Sequence, residues 1–227
     1  MRPYLLEETY EVLDAMDGNA IEGISGEIGD LLFVVLLVAR IAEDSQIGSL
    51  TEAVDRIVKK MIDRHPHVFG DGPDSADPGG IGAWEARKKR EGRSRLDGVP
   101  QSLPALLRSH RQGEKAAAVG LDWSAHTGVM EKIQEEYREL EEALATGSAA
   151  EVTHEYGDLL LAVANLGRHI DRPPEATLRT ANERFSQRFF RLEQMAQERG
   201  LQLGPDTDPE ALDRLWELAK ANPEGQR

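Results

Sequence analysis

Glu7, Glu8, Glu11, Glu27 and Asp30 return as Glu135, Glu136, Glu139, Glu155 and Asp158, each 128 residues further along the chain. The shared pattern is Glu-Glu-x-x-Glu, fifteen residues, then Glu-x-x-Asp. Around its second element the match extends to neighbours: Glu27-Ile-Gly-Asp-Leu-Leu-Phe-Val-Val stands against Glu155-Tyr-Gly-Asp-Leu-Leu-Leu-Ala-Val. A set of oxygen donors repeated as a block suits a hard divalent cation, Mg²⁺ first and Mn²⁺ as a substitute. On a helix, residues three and four apart share a face, which gathers each half of the pattern on one side of its helix.

A single Glu-Glu-x-x-Glu in an acidic helical protein is ordinarily a solvated face. Repetition of all five positions, with Gly-Asp-Leu-Leu set in an apolar run, shifts that balance, because buried acids need partners. Two carboxylates about 4 Å apart repel by roughly 4 kcal/mol at an effective dielectric of about 20, so facing acids call for a cation. A di-iron site would need Glu-x-x-His on two helices. Only Glu151-Val-Thr-His154 has that form, and its counterparts are Gly23 and Gly26. The expectation is therefore an oxygen-only site, with His110, His126, His154 and His169 given no role. His65 and His67 are read as part of a helix stop.

Cationic groups recur as well. Lys60-x-x-x-Arg64 matches Arg184-x-x-x-Arg188, and Trp84-x-x-x-Lys88 matches Trp216-x-x-x-Lys220. Each pair projects from one helical face and could meet phosphate oxygens, with the tryptophan beside a base. Lys115, in the second copy alone, is a further phosphate candidate. The plainer readings are that Arg184 and Arg188 pair with Glu183 or other surface acids and that Trp216 anchors the last helix.

To position these groups the chain must be helical almost throughout. Apolar spacing predicts helices near 3–17, 20–44, 50–64 and 82–92, then 103–118, 127–146, 149–170, 174–199 and 208–221. Alternating β-branched runs are lacking, so strands are not expected. Gly157 and its equivalent Gly29 are expected to mark a close approach between helices. Gly and Pro make residues 70–82 a loop, and a second break at Asp97-Gly-Val-Pro100 divides the chain into modules 1–97 and 98–227. The first copy has six residues before Glu7 and lacks counterparts of Lys115 and Asp122-Trp123.

The net charge of -14 argues against nucleic acid or an anionic membrane as the main partner, yet permits a small phosphorylated ligand held by local cations. The chain has no cysteine, which removes disulfides, thiolate metal sites and cysteine nucleophiles. The N-terminal stretch does not read as a signal peptide, and the run Leu31 to Ala39 is too short to span a bilayer. A cytoplasmic protein is expected.

With these residues assembled, the chain resembles the MazG family of nucleoside triphosphate pyrophosphohydrolases. The likeness is carried by Tyr4-Leu-Leu-Glu-Glu-Thr-Tyr-Glu, Glu27-Ile-Gly-Asp-Leu-Leu, Arg64-His-Pro-His-Val-Phe-Gly and Trp84-Glu-Ala-Arg-Lys. In the second half it is carried by Glu114-Lys-Ala-Ala-Ala-Val-Gly-Leu-Asp-Trp, Glu135-Glu-x-x-Glu, Glu155-x-Gly-Asp and Ala181-Asn-Glu-Arg-Phe. The resemblance implies an all-α protein of two tandem helical-bundle modules, usually dimeric, that uses Mg²⁺ to convert a nucleoside triphosphate to the monophosphate and pyrophosphate. It implies Glu136, Glu139, Glu155 and Asp158 as metal ligands, with Glu8, Glu11, Glu27 and Asp30 their first-module equivalents. Glu135 becomes a water-orienting group or base, or an outer ligand. Lys115, Arg184, Arg188 and Lys220 become triphosphate contacts, and Trp216 a nucleotide-side residue. The family's upstream Cys-Pro-Trp-Asp string and first helix are missing, so the first module is expected to be incomplete at its start and catalysis to lie in the second. The alternatives are a helical scaffold that binds a partner and keeps its acids, or a narrower enzyme acting on dUTP or phosphoribosyl-ATP.

Overall fold

The computed structural model describes residues 1–17, 21–64, 66–69 and 94–221. The helix expected near 82–92, with Trp84 and Lys88, and the 70–82 loop lie outside the described residues, as does the Arg64 side chain. The fold is all-α, and no strand occurs among the described residues. No described helix is long and apolar enough to cross a membrane. Residue contacts group Met1–Gly92 and Arg93–Arg227 as two units, against the division at 97/98 read from the sequence.

In the first unit, α1 (Arg2–Asp17) packs on α2 (Ile21–Asp44), α3 (Leu50–Arg64) follows on α2, and the short α4 (Pro66–Phe69) follows α3. Val34 of α2 is buried. In the second unit the main framework is a hairpin of α6 (His126–Thr146) and α7 (Ala149–His169). The preceding helix, α5 (Ala105–Ala117), lies across α7 and the start of α8 (Pro174–Glu198), while α9 (Pro209–Ala221) packs on α8.

Local chemistry fixes the hairpin. α6 ends at Gly147, whose N–H bonds the Ala143 carbonyl at 2.8 Å. Ser148 then caps α7 in a reciprocal capping box: the Glu151 N–H donates to the Ser148 hydroxyl, and the Ser148 N–H donates to the Glu151 carboxylate at 2.6 Å. The buried residues of α6 are Val129, Glu136 and Ala143, spaced by seven, so one stripe faces inward. The buried residues of α7 are Ala162, Ala164 and Gly167, all small, and Gly167 sits against Arg172 and Pro174 of the turn that follows.

A second, separate core joins α8 to α9 through Leu192, Ala196, Leu215 and Ala219, with Met195, Leu201, Leu212 and Trp216 against it. Between α5 and α6 the connector is tied back to the end of α7. Arg168 donates to Asp122 through both terminal nitrogens, one bond being 2.6 Å, and His169 Nε2 lies 3.0 Å from the same carboxylate. α5 passes close to this point at Gly113, where a Cβ would come within 2.9 Å of Asn165 Oδ1 and the Asn165 side chain would have to shift.

Candidate active site

Glu136 occupies the middle of the inward stripe of α6 and is 5% exposed, the one buried charged side chain among the described residues. One turn further along, Glu139 emerges at the edge of the stripe. From α7, Glu155 meets both, so that single carboxylate oxygens of Glu136, Glu139 and Glu155 lie within 4.8 Å of one another. Crowding has an electrostatic signature: desolvation, then the charges of Glu136, Glu135 and Glu155, raise the pKa of Glu139 against the opposing pull of Lys132. The donor set is therefore all carboxylate, convergent and partly withheld from water, which fits Mg²⁺ or Mn²⁺.

Lys132 was not foreseen. Its ammonium lies 2.8 Å from Glu135 Oε1 and 2.8 Å from Glu136 Oε1, and those two carboxylates raise its pKa. It sits one turn before Glu135 and Glu136, a spacing that could have drawn notice. The position 128 residues earlier is Tyr4, so the repeat concealed it.

His154 is the second unforeseen member. Its Nδ1 is 3.2 Å from Asp158 Oδ2 and 3.4 Å from Glu155 Oε1. These three residues form another convergent group that shares Glu155 with the first. Asp158 thus reaches the site beside His154, rather than as a fourth member of the Glu136 group. A histidine nitrogen therefore lies beside the carboxylates of the second unit.

Gly157 and Gly29 do not mark a close approach: a Cβ at either would meet nothing within 4 Å. Each lies on a side of its helix that faces open space; the close contacts are instead at Gly113 against Asn165 of α7, at Gly128 against Trp123, and at Gly167 against Arg172 and Pro174 in the following turn. In the first unit Glu8, Glu11 and Glu27 converge as their counterparts do, and desolvation followed by Glu11 and Asp30 raises the pKa of Glu8.

The cationic and aromatic candidates gather elsewhere. Trp216 packs against Phe185, with ring centroids 5.4 Å apart and planes tilted by 52°. Both line an apolar groove of about 530 Å³ with Phe189, Leu192, Leu203 and Leu212. Arg184 is exposed and Arg188 half-buried on α8. Glu183 does not pair with Arg184 here; it accepts from Gln187 at 2.9 Å. Lys220 pairs with Glu217 on its own helix. Lys115 lies half-buried on the last turn of α5. Among the described residues, Arg184, Arg188, Trp216 and Lys220 make no hydrogen bond or ion pair with the carboxylate cluster.

Comparison with known proteins agrees with the acidic pattern. Residues 1–69 match the MazG nucleotide pyrophosphohydrolase domain. The chain is 37% identical over 225 residues to the nucleoside triphosphate pyrophosphohydrolase of Escherichia coli K12, covering 96% of this chain and 85% of that protein. It is 38% identical over 226 residues to the nucleoside triphosphate pyrophosphohydrolase/pyrophosphatase MazG of Thermotoga maritima, covering 99% of this chain and 86% of that protein. A third relative, the uncharacterized protein YabN of Bacillus subtilis, is 36% identical over 230 residues, of which this chain spans 46% of the length. Likeness over nearly the whole length, together with two convergent copies of the same carboxylate set, places this chain in the MazG family of nucleoside triphosphate pyrophosphohydrolases.

Proposed function

We propose that the chain hydrolyses nucleoside triphosphates to the monophosphate and pyrophosphate, with the reaction carried out in the second unit. The observation that carries this reading is the meeting of Glu136, Glu139 and Glu155 at the α6–α7 hairpin, with Asp158 beside Glu155. Glu136, Glu139, Glu155 and Asp158 would hold Mg²⁺, or Mn²⁺ in its place. When bound, the cation polarises phosphate oxygens and lowers the pKa of water.

The chain's own groups do the rest. Glu135, steadied by Lys132 at 2.8 Å, orients the attacking water toward the α-phosphorus and accepts its proton. Lys115, Arg184, Arg188 and Lys220 neutralise the departing pyrophosphate. Trp216, on the wall of an apolar groove, lies beside the nucleotide base. Glu8, Glu11, Glu27 and Asp30 would hold a cation in the first unit by the same chemistry.

Arg184, Arg188, Trp216 and Lys220 stand on α8 and α9 and Lys115 on α5, and α8 exposes Leu178, Phe185, Phe189 and Phe190 at 43–59%. An apolar face of that kind suits burial against a second copy, and we read the working form as a homodimer. Its place of action is the cytoplasmic nucleotide pool, for cleaning or control.

Product analysis tests the reading. The purified chain with Mg²⁺ and each common NTP and dNTP should give the monophosphate and pyrophosphate. A nucleoside diphosphate with inorganic phosphate would mean cleavage at the wrong bond. No turnover with Mg²⁺ or Mn²⁺ would favour a scaffold that only binds.

A further inference from the structure

His154 stands where an oxygen-only site has no use for it. It lies one residue before Glu155 and four before Asp158 on α7, so it shares the metal-facing side of the helix with Asp158. Its Nδ1 is turned toward those carboxylates, at 3.4 Å and 3.2 Å, although the side chain is 71% exposed and has solvent available on other sides. Capping by Ser148 and Glu151 fixes the start of α7 just before it. The result is a second convergent group, His154, Glu155 and Asp158, that touches the Glu136, Glu139 and Glu155 group through one shared carboxylate.

We propose that His154 is a nitrogen ligand to a divalent cation in the second unit, extending the carboxylate site into a mixed nitrogen–oxygen site. The inference rests on the reading of Glu136, Glu139, Glu155 and Asp158 as the metal-holding set. Imidazole is a softer donor than carboxylate and favours transition ions over Mg²⁺. The first unit has Gly26 at the corresponding position, and among the described residues its Glu8, Glu11 and Glu27 group includes no histidine. The two units therefore differ in metal preference: the second takes Mn²⁺ or Co²⁺ more readily relative to Mg²⁺ than the first does.

The alternative is that His154 is only a counter-charge for Glu155 and Asp158. A ligand and a counter-charge differ in one observable, a direct coupling between the metal electron spin and the imidazole nitrogen. The test uses tag-free full-length protein carrying Glu11→Gln and Glu27→Gln, so that Mn²⁺ is confined to the second unit. Pulsed electron paramagnetic resonance of the Mn²⁺-loaded protein should show ¹⁴N modulation. Adding His154→Gln should abolish that modulation while Mn²⁺ stays bound. Titration should also show Mn²⁺ affinity falling roughly tenfold in the His154→Gln variant, with Mg²⁺ affinity changing by much less.

Bound Mn²⁺ without nitrogen modulation overturns the inference and leaves the carboxylate site standing. Modulation that survives His154→Gln overturns it too, because the nitrogen is then another residue's. Failure of Mn²⁺ to bind overturns both the inference and the site it rests on.

Discussion

Replacing Asp122 with Asn tests whether the connector between α5 and α6 is held by charge. Asp122 accepts two bonds from Arg168, one of 2.6 Å, lies 3.0 Å from His169 Nε2, and accepts the Trp123 N–H at 2.9 Å. The Arg168 hydrogen bonds outweigh the cost of burial and lower the Asp122 pKa from 3.8 to about 2. A shift of nearly two pH units corresponds to about 2 kcal/mol of stability. The side chains are 24% and 16% exposed, so screening reduces that figure, while Asn would leave Arg168 short of its counter-charge, which increases the loss. The net expectation at pH 7 is a loss of about 1–3 kcal/mol, or roughly 3–8 °C in the melting temperature of the second unit.

The sign with pH follows from a depressed carboxylate. The contribution is complete above the unfolded value of 3.8 and is lost as pH falls toward about 2. Urea unfolding of wild type and Asp122→Asn, followed by tryptophan fluorescence, should therefore show a constant gap from about pH 5 to 7 that closes between about pH 4 and 2. Equal midpoints at pH 7, or a gap that persists undiminished at about pH 2.5, would refute the reasoning.

Glu139→Gln and Glu155→Gln should each lower pyrophosphate release by about a hundredfold or more while circular dichroism keeps its helical signal; a variant with full turnover would remove that residue from the metal set. Mg²⁺ with nucleotide at about a hundred times the dissociation constant should stabilise the protein by about 2.7 kcal/mol, and a melting curve unmoved at millimolar ligand would count against the site. Because desolvation and then the neighbouring carboxylates raise the Glu139 pKa, the metal-free cluster gains stability as pH falls through the raised pKa and loses it as pH rises. Mg²⁺ binding should accordingly weaken as pH falls toward the raised Glu139 pKa and release protons there, both measurable by calorimetry in buffers of different ionisation heat. Lys132→Met removes the ion pair from buried Glu136, so melting should fall in metal-free protein, with part of the deficit recovered on adding Mg²⁺.

The parts of this structure legible in sequence are those governed by spacing within one helix. The separations from Glu135 and Glu136 to Glu139, and from Glu155 to Asp158, dictate shared faces, and fifteen residues allow one turn between them. Gly147 and Ser148 supply that turn, as the break in apolar spacing suggested. Relations between distant helices were harder to read. Trp216 and Lys220 have suitable spacing for a nucleotide, yet α9 packs on α8 and not at the carboxylates, because α8 runs for 25 residues and carries its partner with it. A helix of that length extends about 37 Å, far more than local spacing can constrain. Gly157 misled for a related reason: glycine within a helix signals close contact only if a neighbour arrives, and here none does.

His154 and Lys132 were hidden by the same logic that revealed the carboxylates. Repetition selects what two modules share, so it discards what distinguishes them. At the same offset, Lys132 faces Tyr4 and His154 faces Gly26. The first unit keeps Glu8, Glu11 and Glu27 within 4.8 Å, with neither that ammonium nor that imidazole at the equivalent positions. Shared acids can explain why both units would hold a cation, but not why they would differ in what they do with it. Any such difference must come from unshared residues, and two of these lie against the carboxylates themselves. Exchange of those two pairs is therefore a sharper test of module identity than removal of any shared acid. Tyr4→Lys with Gly26→His should move the first unit's metal preference toward Mn²⁺, measured with Glu139 and Glu155 changed to Gln. An unchanged Mn²⁺-to-Mg²⁺ affinity ratio would mean that the units are distinguished by something other than these side chains.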